Sequence, residues 1–198
     1  MKMKPATKPK LICLAGPTGA GKTTIGQALC ERMAVALKWP VIMLDDDVAR
    51  RKIVGKDLVA PFELFDYRDD VSRQVVAVMD ASMMDHLRRG AHVINVSGYW
   101  SPQSRSYAEG VAQRAGCDFY GFWLTAPRDV LQQRITERAD GRGRNIENPS
   151  DGTLSDMDKF GDMGNVTWPM IKTDKDIDAI LREIFKKIGL PLFTNHAK

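Results

Sequence analysis

The 198-residue chain is 43% hydrophobic and 27% charged, with 29 Lys and Arg against 25 Asp and Glu for a formal net charge of +4. That length suits one domain whose sheet is covered on both faces, and no apolar run approaches the ~20 residues of a membrane span. Lys2, Lys4, Lys8 and Lys10 account for the whole excess of charge, so residues 11–198 lack the bulk basic character of a broad nucleic-acid binder.

Residues 1–10 read as a solvated, disordered basic leader without the apolar stretch and cleavage site of a signal peptide. Leu11-Ile12-Cys13-Leu14-Ala15 is a short buried strand, and it runs into Gly16-Pro17-Thr18-Gly19-Ala20-Gly21-Lys22-Thr23-Thr24. This is the pattern G-x-x-x-x-G-K-[ST], and from Lys22 onward Ile25, Ala28, Leu29, Arg32 and Met33 recur at helical spacing. Strand, glycine-rich loop and helix in that order make a phosphate-binding loop. The glycines let consecutive N–H groups face an anion, and the helix adds its positive dipole end. Lys22 supplies a mobile charge for the β- and γ-phosphates, and the Thr23 hydroxyl suits Mg²⁺. The expected nucleotide-binding residues are Gly16, Thr18, Gly19, Ala20, Gly21, Lys22, Thr23 and Thr24, and the expected ligand is a nucleoside triphosphate.

Val41-Ile42-Met43-Leu44 is a second buried strand ending in Asp45-Asp46-Asp47, and a polar helical turn over 48–53 follows. Residues 56–67 are irregular and rich in aromatics. A long helix is expected over 70–89, with Val71, Val75, Val78, Met79, Met83 and Leu87 on one stripe and Gly90 as its stop. His92-Val93-Ile94-Asn95-Val96 is a third strand, Ser101-Pro102 opens a helix to about Ala115, and 119–124 is a fourth strand. A helix runs from Pro127 through Arg138. Residues 139–165 are polar and Gly-rich, too long for a plain connection, and are expected to form a lid. A short strand near Met170-Ile171 and a helix over 174–187, with Asp174 as its N-cap, complete the fold; 191–198 is a tail. The expectation is an α/β fold: a single domain over 11–190 built on a doubly wound, five-stranded parallel sheet with helices on both faces. Cys13, Cys30 and Cys117 are widely spaced with no C-x-x-C, as in a cytoplasmic protein with reduced thiols. His86, His92 and His196 read as structural.

The chain has no N-K-x-D for guanine, which favours ATP over GTP and excludes a GTP switch; Asp118 to Gly121 matches D-x-x-G by chance, since it leads into a strand. Nothing supplies the second subdomain of a mechanical ATPase. A small-molecule kinase remains. Phosphoryl transfer needs a group that orients the acceptor hydroxyl and takes its proton. Asp45, Asp46 and Asp47 stand at the C-terminal end of a strand, where such groups belong in an open α/β sheet. Arg134, Arg138, Arg142 and Arg144 offer guanidiniums to the transferring group; Arg134 and Arg138 share a helix face.

On these residues the chain resembles the small P-loop kinases of the zeta-toxin and polynucleotide-kinase type, often described as AAA-family ATP-binding proteins. The resemblance covers most of residues 11–188. It rests on Gly16 to Thr24 and on Leu44-Asp45-Asp46-Asp47-Val48-Ala49-Arg50-Arg51, which matches D-x-x-R after strand two. Further pieces are Tyr99-Trp100-Ser101-Pro102 with Arg105, Trp123 to Pro127 leading to Leu131, Arg134 and Arg138, and Ser150-Asp151-Gly152-Thr153. The resemblance implies a P-loop kinase fold in which Asp47 faces the acceptor hydroxyl, Arg50 holds the acceptor, and Arg134 and Arg138 touch the donor phosphates. Arg105 and Asn95 add hydrogen bonds for a polar acceptor, and Trp100, Phe62, Phe65 and Tyr67 offer rings. Asp45 joins Thr23 at Mg²⁺, and Asp46 is expected to matter least of the three. One departure is Asn95, where the family commonly ends strand three with Asp. The expected activity is ATP-dependent phosphate transfer to a hydroxyl of a small metabolite of the nucleotide sugar, antibiotic or nucleoside class. The alternatives are a 5′-hydroxyl polynucleotide kinase, with the leader holding phosphates, and a nucleotide-binding regulatory protein without turnover.

Overall fold

A computed structural model of the chain describes residues 7–57, 64–140 and 165–192. Five strands form one parallel sheet in the order β2-β3-β1-β4-β5: β1 Lys10–Ala15, β2 Val41–Asp45, β3 His92–Val96, β4 Asp118–Thr125 and β5 Met170–Lys172. The described helices are α1 Lys22–Leu37, α2 Asp46–Val54, α3 Asp69–Arg88, α4 Pro102–Ala115, α5 Arg128–Asp140 and α6 Ile177–Lys187, with a 3-10 turn at Leu64–Tyr67. None of them is long and apolar enough to cross a membrane.

The strands are near-continuous apolar runs because both faces are covered, and alternation along each strand sorts its side chains. Ile12 and Leu14 of β1, with Ile94, Val96, Phe122, Leu124 and Ile171, meet α1 (Ile25, Leu29, Met33), α5 (Leu131) and α6 (Ile180, Leu181, Ile184, Phe185). Leu11, Cys13 and Ala15 point the other way, to α3 (Val71, Val75, Met79, Met83, Leu87) and α4 (Ala108, Val111, Ala112). The sheet is thus doubly wound, as the alternation of elements predicts. Trp168, just before β5, packs on this second face beside Tyr99 and Phe119, with ring centroids 5.2 and 5.5 Å away.

The register places the site. Val96 of β3 pairs with Leu14 of β1 and with Asp45 of β2. The phosphate loop, the loop after β3 and the acidic turn therefore leave the sheet at one level. Two boundaries differ from the sequence expectation. The helix after β2 begins at Asp46, because the Asp45 side chain caps it by accepting from Asp47 N at 2.9 Å. The last helix is capped by Asp176, not Asp174: a capping oxygen must reach the second or third helical amide, and Asp176 accepts from Asp178 N (2.9 Å) and Ala179 N (3.2 Å). Of the expected lid over 139–165, residues 141–164 lie outside the described residues.

At the opposite end of the strands, His92 is fully buried and accepts from Lys10 N through Nδ1 at 3.1 Å. Its proton therefore sits on Nε2, which has no partner among the described residues. Burial, then the Lys10 charge, push the imidazole below its ordinary value. The unfolded chain takes up this proton first, so the contribution of His92 to stability is complete above about pH 6.5 and shrinks as pH falls. Thermal unfolding from pH 7.5 to 5 checks this: wild type should lose more stability over that range than His92→Gln, whereas parallel pH profiles would contradict the assignment.

Candidate functional site

β1 ends at Ala15, and the chain must then turn hard against its neighbours. Gly16 has φ 132, and a Cβ there would lie 2.2 Å from the Leu124 carbonyl oxygen of β4; no other residue fits without separating the strands. Gly19, at φ 82, has the same constraint against the Leu131 carbonyl oxygen at 2.8 Å. The loop closes through Ala20 N donating to Pro17 O at 3.2 Å. α1 then starts with no capping side chain and no acid in its first turn. No side chain of the helix itself takes up its leading N–H groups, which suits an anion site. Lys22 arches back over the loop, with Nζ donating to Gly16 O (2.7 Å) and Pro17 O (3.0 Å).

Beside the loop the three aspartates take separate jobs. Asp45 accepts from the Thr23 hydroxyl through Oδ2 at 2.9 Å, while its Oδ1 caps α2. Asp46 accepts from the Ser97 hydroxyl. Burial raises the Asp46 carboxyl to about 6, the Ser97 bond opposes this, and the Asp45 and Asp47 charges add to it. Asp46, expected to matter least of the three, is desolvated and engaged, because β2 delivers it beside the first residue past β3. Asp47 keeps solvent access, yet desolvation by the crevice walls and then the Asp45 charge raise its carboxyl, with Arg51, Lys22 and Arg50 opposing. Asp47 thus lies in the field of the loop lysine.

The other expected residues are distributed as follows. Arg50 Nη1 donates to Asp66 O (2.8 Å) and Ser72 Oγ (3.3 Å), with its guanidinium 4.6 Å from the Tyr67 ring centroid, so it ties α2 to the start of α3. Arg105 is buried, and its Nη1 donates to Tyr99 O and Trp100 O, both at 3.0 Å. It holds the loop after β3 instead of lining an open pocket. Arg134 reaches the phosphate loop: Nη1 donates to Gly19 O (3.2 Å) and Thr173 Oγ1 (3.3 Å), and Nη2 to Thr173 O (2.7 Å). The Arg138 and Phe65 side chains, and Phe62, Arg142 and Arg144, lie outside the described residues. Asn95 is buried on the Cys13 side of the sheet, donating to the Tyr99 hydroxyl. Val96 faces α1, so alternation turns Asn95 away from Thr23.

Sequence reasoning missed a cleft of about 450 Å³ beside the loop, lined by Gly21, Thr24, Ile25, Arg134, Thr173 and Ile177 among others. Its one legible signal is that Thr173 directly follows a strand end. Chemically, loop amides and Lys22 suit a polyphosphate. Thr23 and Asp45 offer two hard oxygens to Mg²⁺, an ion that keeps several waters and phosphate oxygens in its shell. No cluster of three or more His, Cys, Asp or Glu able to hold a metal occurs among the described residues.

Residues 11–160 match the AAA domain family. Among curated proteins no match is found. Solved structures share the fold over nearly the whole chain. The APS kinase of Mycobacterium tuberculosis, in complex with AMPPNP and APS, is 19% identical with a TM-score of 0.60, covering 92% of this chain and 98% of that one. A gluconokinase from Sinorhizobium meliloti is 19% identical with a TM-score of 0.59, covering 92% and 93%. The tunicamycin resistance protein of Deinococcus radiodurans is 18% identical with a TM-score of 0.61, covering 94% and 99%. From a family match that spans most of its length, and from the loop and sheet order just described, the chain belongs to the AAA domain family and has the P-loop kinase fold.

Proposed function

We propose that this chain is an ATP-dependent phosphotransferase that moves the γ-phosphate of ATP to a hydroxyl of a small metabolite. The observation that carries the reading is the hydrogen bond from Thr23 to Asp45, which joins the helix that follows the phosphate loop to the acidic turn, with Asp47 in the field of Lys22. The neighbours in fold support it: two are named as kinases, and one of them was solved with AMPPNP and APS.

In this reading the amides from Gly16 to Thr24 hold the donor phosphates, with Thr18, Ala20 and Gly21 among the contacts. Lys22 exchanges its two carbonyl partners for phosphate oxygens. Arg134 shapes the loop from behind, and Arg138 meets the donor phosphates. Mg²⁺, held by Thr23 and through water by Asp45, would neutralise charge on the phosphates. Asp47 takes the proton of the acceptor hydroxyl as the new O–P bond forms and the bond from the γ-phosphorus to the bridging oxygen breaks, leaving ADP. Arg50 and Arg105 act on the acceptor side by fixing its walls. The acceptor belongs to the nucleotide sugar, antibiotic or nucleoside class.

The alternatives lose support. Lys8 and Lys10 pair with Asp118 at 3.0 and 3.5 Å, at the end of the sheet opposite the loop, which disfavours these two lysines as clamps for a polynucleotide beside the loop. The reading without turnover rests on Asn95 weakening the metal site, and Asn95 faces away from Thr23.

A screen of hydroxylated metabolites for ADP formation tests the proposal. One acceptor class should raise ADP formation well above hydrolysis by water, and Lys22→Ala should lower that turnover by at least about 10²-fold. Lys22→Ala with unchanged turnover and ATP affinity would overturn the assignment. Asp47→Asn keeps the shape but removes the base, so kcat should fall about 10²–10⁴-fold with ATP affinity near normal. A harmless Asp47→Asn in that assay rules Asp47 out as the base.

A further inference from the structure

The Asp45 carboxylate caps α2 and ties the acidic turn to Thr23 of α1. A second contact ties the same turn to the strand that carries the loop. Ser97, the first residue past β3, donates its amide to Leu14 O at 3.2 Å, two residues before the phosphate loop begins. Its hydroxyl donates to Asp46. One residue thus joins the strand that carries the loop to the turn that carries Asp47.

The segment holding Ser97 is itself over-determined. Tyr99 is one of two non-glycine residues with positive φ among the described residues, at 47°, a region disfavoured for a bulky side chain. It is buried, its hydroxyl lies 3.4 Å from Cys13 Sγ and accepts from Asn95 Nδ2, and its carbonyl accepts from Arg105 at 3.0 Å. Such a conformation persists only where the surroundings hold it from several sides, and strain of this kind gathers where a functional group must be aimed. Here it bends the chain two residues after Ser97. This gives a reason for a buried Asn95 and a buried Arg105 that substrate contact does not.

We propose that Asp46 and Ser97 are a positioning pair: the Ser97 hydroxyl, set by the strained Tyr99, latches Asp46 and so holds Asp47 at a fixed distance from the phosphate loop. The assignment of Asp47 as the group thereby positioned rests on the phosphotransfer reading; the latch does not.

Hydrogen exchange over residues 44–50, together with steady-state kinetics using ATP and whichever acceptor the screen returns, tests it on the full chain. Ser97→Ala should speed exchange in that peptide on the order of tenfold, by removing a bond to a charged acceptor, while β1 peptides stay protected. It should lower kcat by a similar factor with KM for ATP within about twofold. Ser97→Thr, which keeps the hydroxyl, should restore both. Asp46→Ala should reproduce Ser97→Ala, and the double variant should be no worse than either alone. Ser97→Ala with wild-type exchange and kcat, or additive losses in the double variant, would overturn the pair. Exchange that responds as described in a protein whose ADP formation no acceptor raises above hydrolysis by water supports the latch and removes the kinase reading instead.

Discussion

The hydrogen bond between the Thr23 hydroxyl and the Asp45 carboxylate is the contact on which the rest of the site depends, because it joins two segments that the chain delivers separately. Thr23 sits in the first turn of α1, at the positive end of a helix whose own first turn carries no acid. Asp45 ends β2, two strands away from β1 in the sheet. A bond from a neutral hydroxyl to a carboxylate contributes about 1.5–3 kcal/mol when shielded, and less in an open crevice such as this one. Its larger consequence is geometric: the same carboxylate caps α2 through its other oxygen, so the position of Asp47 is tied to that of the phosphate loop.

The doubly wound sheet makes that contact possible at low cost. Parallel strands covered on both faces bury Leu, Ile, Val and Phe on one layer and Cys13, Trp123 and the α3 stripe on the other, and this burial supplies the stability. Polar groups gather at the C-terminal ends of the strands, where side chains and loop amides are free of the apolar layers. Lys8, Lys10 and the buried His92 lie at the other end. The division lets the reactive end carry three adjacent carboxylates and a strained tyrosine, both of which cost stability.

Much of this was legible because the signal is contiguous. Gly16 to Thr24 is one uninterrupted stretch, its flanking strand and helix have clear periodicities, and the alternation of elements prescribes a parallel sheet with crossovers on both faces. The side chains whose roles depend on register were not legible. Asn95 is turned away from the crevice by one residue of alternation. Arg105 is spent on carbonyls of its own loop because Tyr99 takes a left-handed conformation that no pattern announces. Asp46 is engaged because Ser97, some fifty residues later, arrives beside it. The cap at Asp176 in place of Asp174 is a local choice between two equally suitable carboxylates, decided by where the helix can begin after β5 and Thr173.

The account's central claim is that Thr23 and Asp45 act as one unit at a metal-assisted phosphate site, and calorimetric titration of ATP with and without Mg²⁺ tests it most directly. Wild type should bind ATP at least about tenfold, or 1.4 kcal/mol, more tightly with Mg²⁺. That gain should be lost in Thr23→Val and in Asp45→Asn, with no further loss in the double variant. A full Mg²⁺ gain retained in both single variants would contradict the claim.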